Sequence, residues 1–117
     1  MAAVDDALEA ARARIGPRVT PAGLEAELAA GALVVDIRPA ESRDREGALD
    51  GALVVERTVL EWRLDPTSPY RADRMQDAGQ RVVIVCNEGY ASSLAAAALR
   101  DLGLTNVTDL EGGYRAL

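Results

Sequence analysis

Cys86 is the one thiol in a chain of 117 residues, and it opens the run Cys86-Asn87-Glu88-Gly89-Tyr90-Ala91-Ser92. The chain contains no histidine and no lysine. Cys–His proteases, Ser–His–Asp hydrolases, histidine-ligated zinc and Schiff-base chemistry therefore have no side chains to work with here. A single cysteine also rules out a Cys-x-x-Cys redox pair and an internal disulfide. What remains is a thiolate, carboxylates, hydroxyls, arginines and main-chain amides.

The flanking segments say how that thiol is presented. Arg81 to Val85 is a short apolar run of β-branched residues, the pattern of a strand buried on both faces. Ser93 to Leu102 reads as a helix with Leu94, Ala95, Ala98, Leu99 and Leu102 on its apolar face, stopped by Gly103. Cys86 is thus expected as the last residue of a central strand, facing a tight loop that enters a helix. Loop amides and a helix N-terminus aimed at one sulfur favour the thiolate. Ser92 is expected to cap the helix, and Gly89 to let the loop bend. The competing reading of Cys86 is a small apolar residue that closes a core strand.

Val4, Leu8, Ala11 and Ile15 recur at helical spacing and predict a leading helix over residues 4–14 that covers part of the core. Arg18-Val19-Thr20, Leu33 to Ile37, Leu53 to Glu56 and Val107 to Leu110 read as further strands. A helix opening at Pro21 and a short one from Val59 lie between them, with Trp62 expected in the core. Thr67 to Gln80 reads as a polar surface connection. Strands alternating with helices predict an α/β three-layer domain, with a mainly parallel five-stranded sheet and helices on both faces. Asp36 and Arg38 end a strand on the rim that carries Cys86 and read as a structural ion pair. Arg57 is placed either to hold an anionic substrate or to form a surface salt bridge.

VDIR at Val35 to Arg38, GALDGA at Gly47 to Ala52, the CNEGYAS loop and LEGGY at Leu110 to Tyr114 resemble, in order, the signatures of the rhodanese (sulfurtransferase) family. The resemblance covers residues 18–117 and leaves 1–17 as an N-terminal helical extension. It implies a rhodanese-like fold and a persulfide on Cys86, cradled by the amides of Asn87, Glu88, Gly89, Tyr90, Ala91 and Ser92. Asp36 and Arg38 match the pair that supports the rim. The implied function is a single-domain sulfurtransferase. It takes sulfur from thiosulfate, a small persulfide or a protein persulfide and passes it to a thiol or cyanide. A non-catalytic rhodanese-like module for binding or redox sensing is the alternative.

The loop departs from the family in three ways. Ala91 replaces a frequent arginine or polar group, Glu88 brings a charge opposed to dianionic donors, and Tyr90 adds bulk. Phosphatase chemistry on such a loop needs an arginine six residues after the cysteine, where this chain has Ser92. The net charge of −6 and the scattered arginines argue against nucleic acid as a partner. No apolar run suits a membrane span, and the acidic first segment is unlike a signal peptide, so the expected location is cytoplasmic, with no cofactor and no metal.

Overall fold

The computed structural model describes residues 2–117, so Met1 of the expected extension lies outside the described residues. The first helix, α1 (Ala3–Ile15), carries Asp5 and Asp6 in its first turn and Arg12 and Arg14 in its last, the order its dipole favours. Then follow α2 (Leu24–Ala29), β1 (Leu33–Asp36), α3 (Ala40–Glu46), β2 (Leu53–Val54), α4 (Leu60–Leu64), β3 (Val82–Val85), α5 (Ala91–Asp101) and β4 (Val107–Asp109).

The strands form one parallel sheet in the order β2-β1-β3-β4, with β1 and β3 at its centre. The expected fifth strand at Arg18 to Thr20 is a single parallel bridge between Val19 and Leu110. Pro17 before it and the helical turn at Pro21–Gly23 after it leave too little chain to extend the ladder.

Side chains alternate across the sheet as the pleat requires. Leu33, Val35, Val82 and Ile84 face a core closed by Ala11 and Ile15 of α1, Leu60 and Leu64 of α4, and Ala95, Ala96 and Leu99 of α5. Val34, Val83 and Val85 face a second, smaller core with Leu24, Leu28 and Leu110. These are the three layers expected from the alternating pattern.

Several side chains sit elsewhere than expected. Leu94 and Leu102 are exposed, and the buried stripe of α5 is Ser92, Ala95, Ala96 and Leu99. Trp62 is exposed while Leu60 and Leu64, on the other side of α4, are buried. Val4 is also exposed, and Met75, within the connection expected on the surface, is fully buried in the first core. Among the described residues no helix is long and apolar enough to cross a membrane.

Candidate functional site

β3 ends at Val85, so Cys86 is the first residue beyond the carboxyl end of a central strand. The chain then curls through residues 87–90 and enters α5. Gly89 makes the curl possible: its φ is +82°, and a Cβ there would lie 2.7 Å from the amide nitrogen of Gly112. The curl turns two amides onto the sulfur. Gly89 N–H and Ser92 N–H donate to Cys86 Sγ over 3.2 and 3.3 Å.

Cys86 is only 7% exposed, yet it lies on the wall of an open pocket of about 370 Å³. Arg38, Arg57, Asn87, Glu88, Tyr90 and Ala91 share that pocket with it. A larger groove of about 710 Å³ runs past Leu24, Leu28, Leu49 and Leu117. Its charged side chains are Glu25 and Asp50, and it holds no nucleophile, so the smaller pocket is the candidate site.

The other residues singled out in the sequence fall around this pocket in different roles. Asp36 and Arg38 form a fully buried ion pair (2.8 Å), and Arg38 also donates to the carbonyl of Gly47 and lies 3.7 Å from the centre of the Tyr114 ring. Arg57 lines the pocket and donates to Glu61 Oε1 (2.7 Å), one turn along the chain, which is the surface salt bridge offered as one of its two readings. Glu88 is exposed and paired with Arg115 (3.0 Å), which offsets the charge expected to oppose anionic donors. Asn87 Nδ2 donates to Ser42 Oγ and ties the loop to α3. Arg38 Nη1 and Asn87 Oδ1 are buried without a partner among the described residues. Ser92 is not the cap of α5. The helix starts one residue earlier with no side-chain cap, and the Ser92 hydroxyl points inward to Asp109.

Asp109 is the residue that sequence reasoning missed. It is fully buried at the end of β4 and accepts hydrogen bonds from Ser92 Oγ and Ser93 Oγ, both 2.7 Å, and from Arg18 Nε (2.7 Å). Arg18 and Arg12 also converge on the carbonyl of Gly89, each at 2.8 Å, and Arg12 donates to Ser93 Oγ as well. The neighbouring Tyr90 ring lies 5.6 Å from the Arg12 guanidinium. Two arginines outside the loop thus clamp the glycine whose own amide faces the sulfur. The one available signal was an aspartate ending an apolar strand at the same rim.

The Gly112-Gly113 turn backs the loop from behind. Tyr114 N–H donates to the carbonyl of Cys86 (2.8 Å) and Arg115 N–H to that of Asn87 (3.0 Å). With both carbonyls held behind, the loop is free to present amides toward the pocket.

Comparison with known proteins agrees with this geometry. The family model of the rhodanese-like domain matches residues 20–117. A solved structure of a protein of unknown function, a possible tyrosine phosphatase from Rhodopseudomonas palustris CGA009, superposes with a TM-score of 0.86 at 32% identity, covering 99% of this chain and 89% of that one. The human single-domain sulfurtransferase TSTD1 superposes at 0.72 with 28% identity, covering 86% and 94%. A tRNA uridine(34) hydroxylase of Variovorax paradoxus (strain S110) is 35% identical over 72 residues, 58% of this chain and 25% of that protein. The chain therefore spans about a quarter of the length of that curated relative. A match over residues 20–117, carried on a parallel α/β sheet with a cysteine loop at its rim, makes this chain a member of the rhodanese-like domain family.

Proposed function

We propose that the chain transfers sulfane sulfur through a persulfide on Cys86, with residues 18–117 as the rhodanese-like unit and residues 1–17 as a helical extension. The observation that carries this reading is the pair of amides, Gly89 and Ser92, directed at a sulfur that opens onto a pocket. In the loading step the Cys86 thiolate attacks the outer sulfur of a donor. With a persulfide RS–SH, the new Sγ–S bond forms as the old S–S bond breaks, giving Cys86–S–SH and RS⁻. With thiosulfate the products are Cys86–S–S⁻ and sulfite. An acceptor thiol or cyanide then removes the outer sulfur and restores the thiolate.

The loop suits the intermediate. Among the described residues the amides of Asn87, Glu88, Tyr90 and Ala91 donate to no other backbone group, so they are available to a second sulfur. Fixed main-chain dipoles of this kind stabilise an anion without having to reorganise. Ala91 offers no cation to a dianion, and a pocket of about 370 Å³ admits donors larger than thiosulfate, so the favoured donor is a small or protein-borne persulfide. Phosphatase chemistry, part of one neighbour's name, is disfavoured. The position six residues after Cys86 is Ser92, bound to the Asp109 carboxylate.

Intact-mass measurement after incubation with thiosulfate and with glutathione persulfide tests the reading. The expected product is the protein plus one sulfur atom, discharged by cyanide or thiol and absent in Cys86→Ser. Absence of the adduct with every donor overturns it.

A further inference from the structure

We infer that Asp109 is a positioning residue for Cys86, fixing the Ser92 hydroxyl so that it faces the sulfur as a hydrogen-bond acceptor and holds the thiol form. The significance of this for catalysis rests on the sulfur-transfer reading above. A serine hydroxyl has one hydrogen to give. Ser92 Oγ stands 2.7 Å from a carboxylate oxygen of Asp109 and 3.2 Å from Cys86 Sγ. A bond to an ionised carboxylate is the stronger of the two, so the hydrogen goes to Asp109. The lone pairs of Ser92 Oγ are left for the sulfur, which donates its S–H to them.

The carboxylate has reason to keep that hydrogen. Asp109 is fully buried, and Arg18 holds its other oxygen at 2.7 Å, while the Ser93 hydroxyl shares Oδ2. Arg12 in turn donates to Ser93 Oγ, which commits the hydrogen of Ser93 to the same carboxylate. Ser92 therefore acts on the sulfur in two opposed ways. Its amide favours the anion, and its hydroxyl favours the thiol.

Other charges face the sulfur from the surrounding elements. Arg38, just beyond β1, and Arg57, ahead of α4, line the pocket; Glu88 and Tyr90 lie in the loop itself; Arg12 and Arg18 stop at the Gly89 carbonyl. None of these side chains hydrogen-bonds the Ser92 hydroxyl, whose partners are Cys86 and Asp109, so a Ser92 variant removes the hydroxyl without removing their partners.

The test is the pH dependence of Cys86 alkylation by iodoacetamide, with no sulfur donor present. It therefore reads the free thiol regardless of whether Cys86 transfers sulfur, and the mass experiment above fails or succeeds separately. Ser92→Ala deletes the acceptor and is expected to raise the thiolate fraction below the midpoint about fivefold, the worth of one ordinary hydrogen bond. Ser92→Thr, which keeps a hydroxyl, is expected to return the parental midpoint. Asp109→Asn is expected to lower the midpoint as well, and by less when Ser92 is already alanine. A higher or unchanged midpoint in Ser92→Ala overturns the inference, since the hydroxyl would then be donating to the thiolate or be idle. An Asp109→Asn effect of full size in the Ser92→Ala background overturns the route through Ser92. Should Asp109→Asn fail to fold, the two Ser92 variants still decide the sign.

Discussion

A methyl group added at Gly113 would lie 2.6 Å from the carbonyl oxygens of both Cys86 and Asn87, and the glycine has a φ of +68°. Gly113→Ala therefore has to push the sulfur loop forward or unwind the turn behind it. The expected cost is about 1–3 kcal/mol for the strained backbone alone, read as a lower urea midpoint, together with slower loading of Cys86. A variant with parental midpoint and loading rate would show that the turn does not back the loop. Asp36 and Arg38 make a second case. Asp36→Asn leaves a buried guanidinium without its counter-charge and is expected to cost about 3–5 kcal/mol in the same assay. At this scale the sequence disclosed the residues better than their partners. Cys86, Gly89 and the Asp36–Arg38 pair could be read from strand ends and a glycine-bearing loop. Asp109 could not, because its role depends on β4 lying beside β3, a pairing of residues distant along the chain.

Helix α1 lies before the segment matched to the family, yet its Arg12 reaches the sulfur loop at Gly89 O and the first turn of α5 at Ser93 Oγ. The apolar spacing of α1 announced a helix that packs on the core, which Ala11 and Ile15 do. It did not announce an arginine with a task on the inner side. Arg12→Ala is expected to leave the folded core intact and to slow Cys86 loading about tenfold, equivalent to ~1.4 kcal/mol. Timed mass spectra of the persulfide, beside a thermal melt, check it. Loading at the parental rate would reduce Arg12 to packing. The errors at this scale share one cause, because periodicity says which residues share a face but not which face wins. Asp109 draws Ser92 and Ser93 inward, turning α5 so that small alanines meet α1 and the sheet while Leu94 faces solvent. In α4, Leu60 and Leu64 take the core and so turn Trp62 outward.

At the scale of the whole molecule, three ion pairs among the described residues join segments that the sheet does not hydrogen-bond together. Glu27 of α2 pairs with Arg81 just ahead of β3, Glu46 of α3 with Arg115 in the last turn, and Asp101 of α5 with Arg14 of α1. The three-layer architecture was legible from alternating strands and helices, but these pairings were not, since charged residues on solvated faces look alike until the elements dock. In each pair the arginine hydrogen bond holds the carboxyl below its usual range, against a smaller opposing effect of burial. A carboxyl with a depressed pKa in the folded state contributes stability that is fully present above its unfolded pKa. That contribution fades as the pH falls through the unfolded and then the folded value. The melting temperature is therefore expected to decline on acidification below about pH 4.3, the ordinary glutamate value. Glu27→Gln, which keeps the shape and removes the charge, is expected to melt lower than the parent at neutral pH and to converge with it in acid. A difference in melting temperature that stays constant from neutral to acid would mean that Glu27 contributes by packing, and that its charge does not help hold α2 against the sheet.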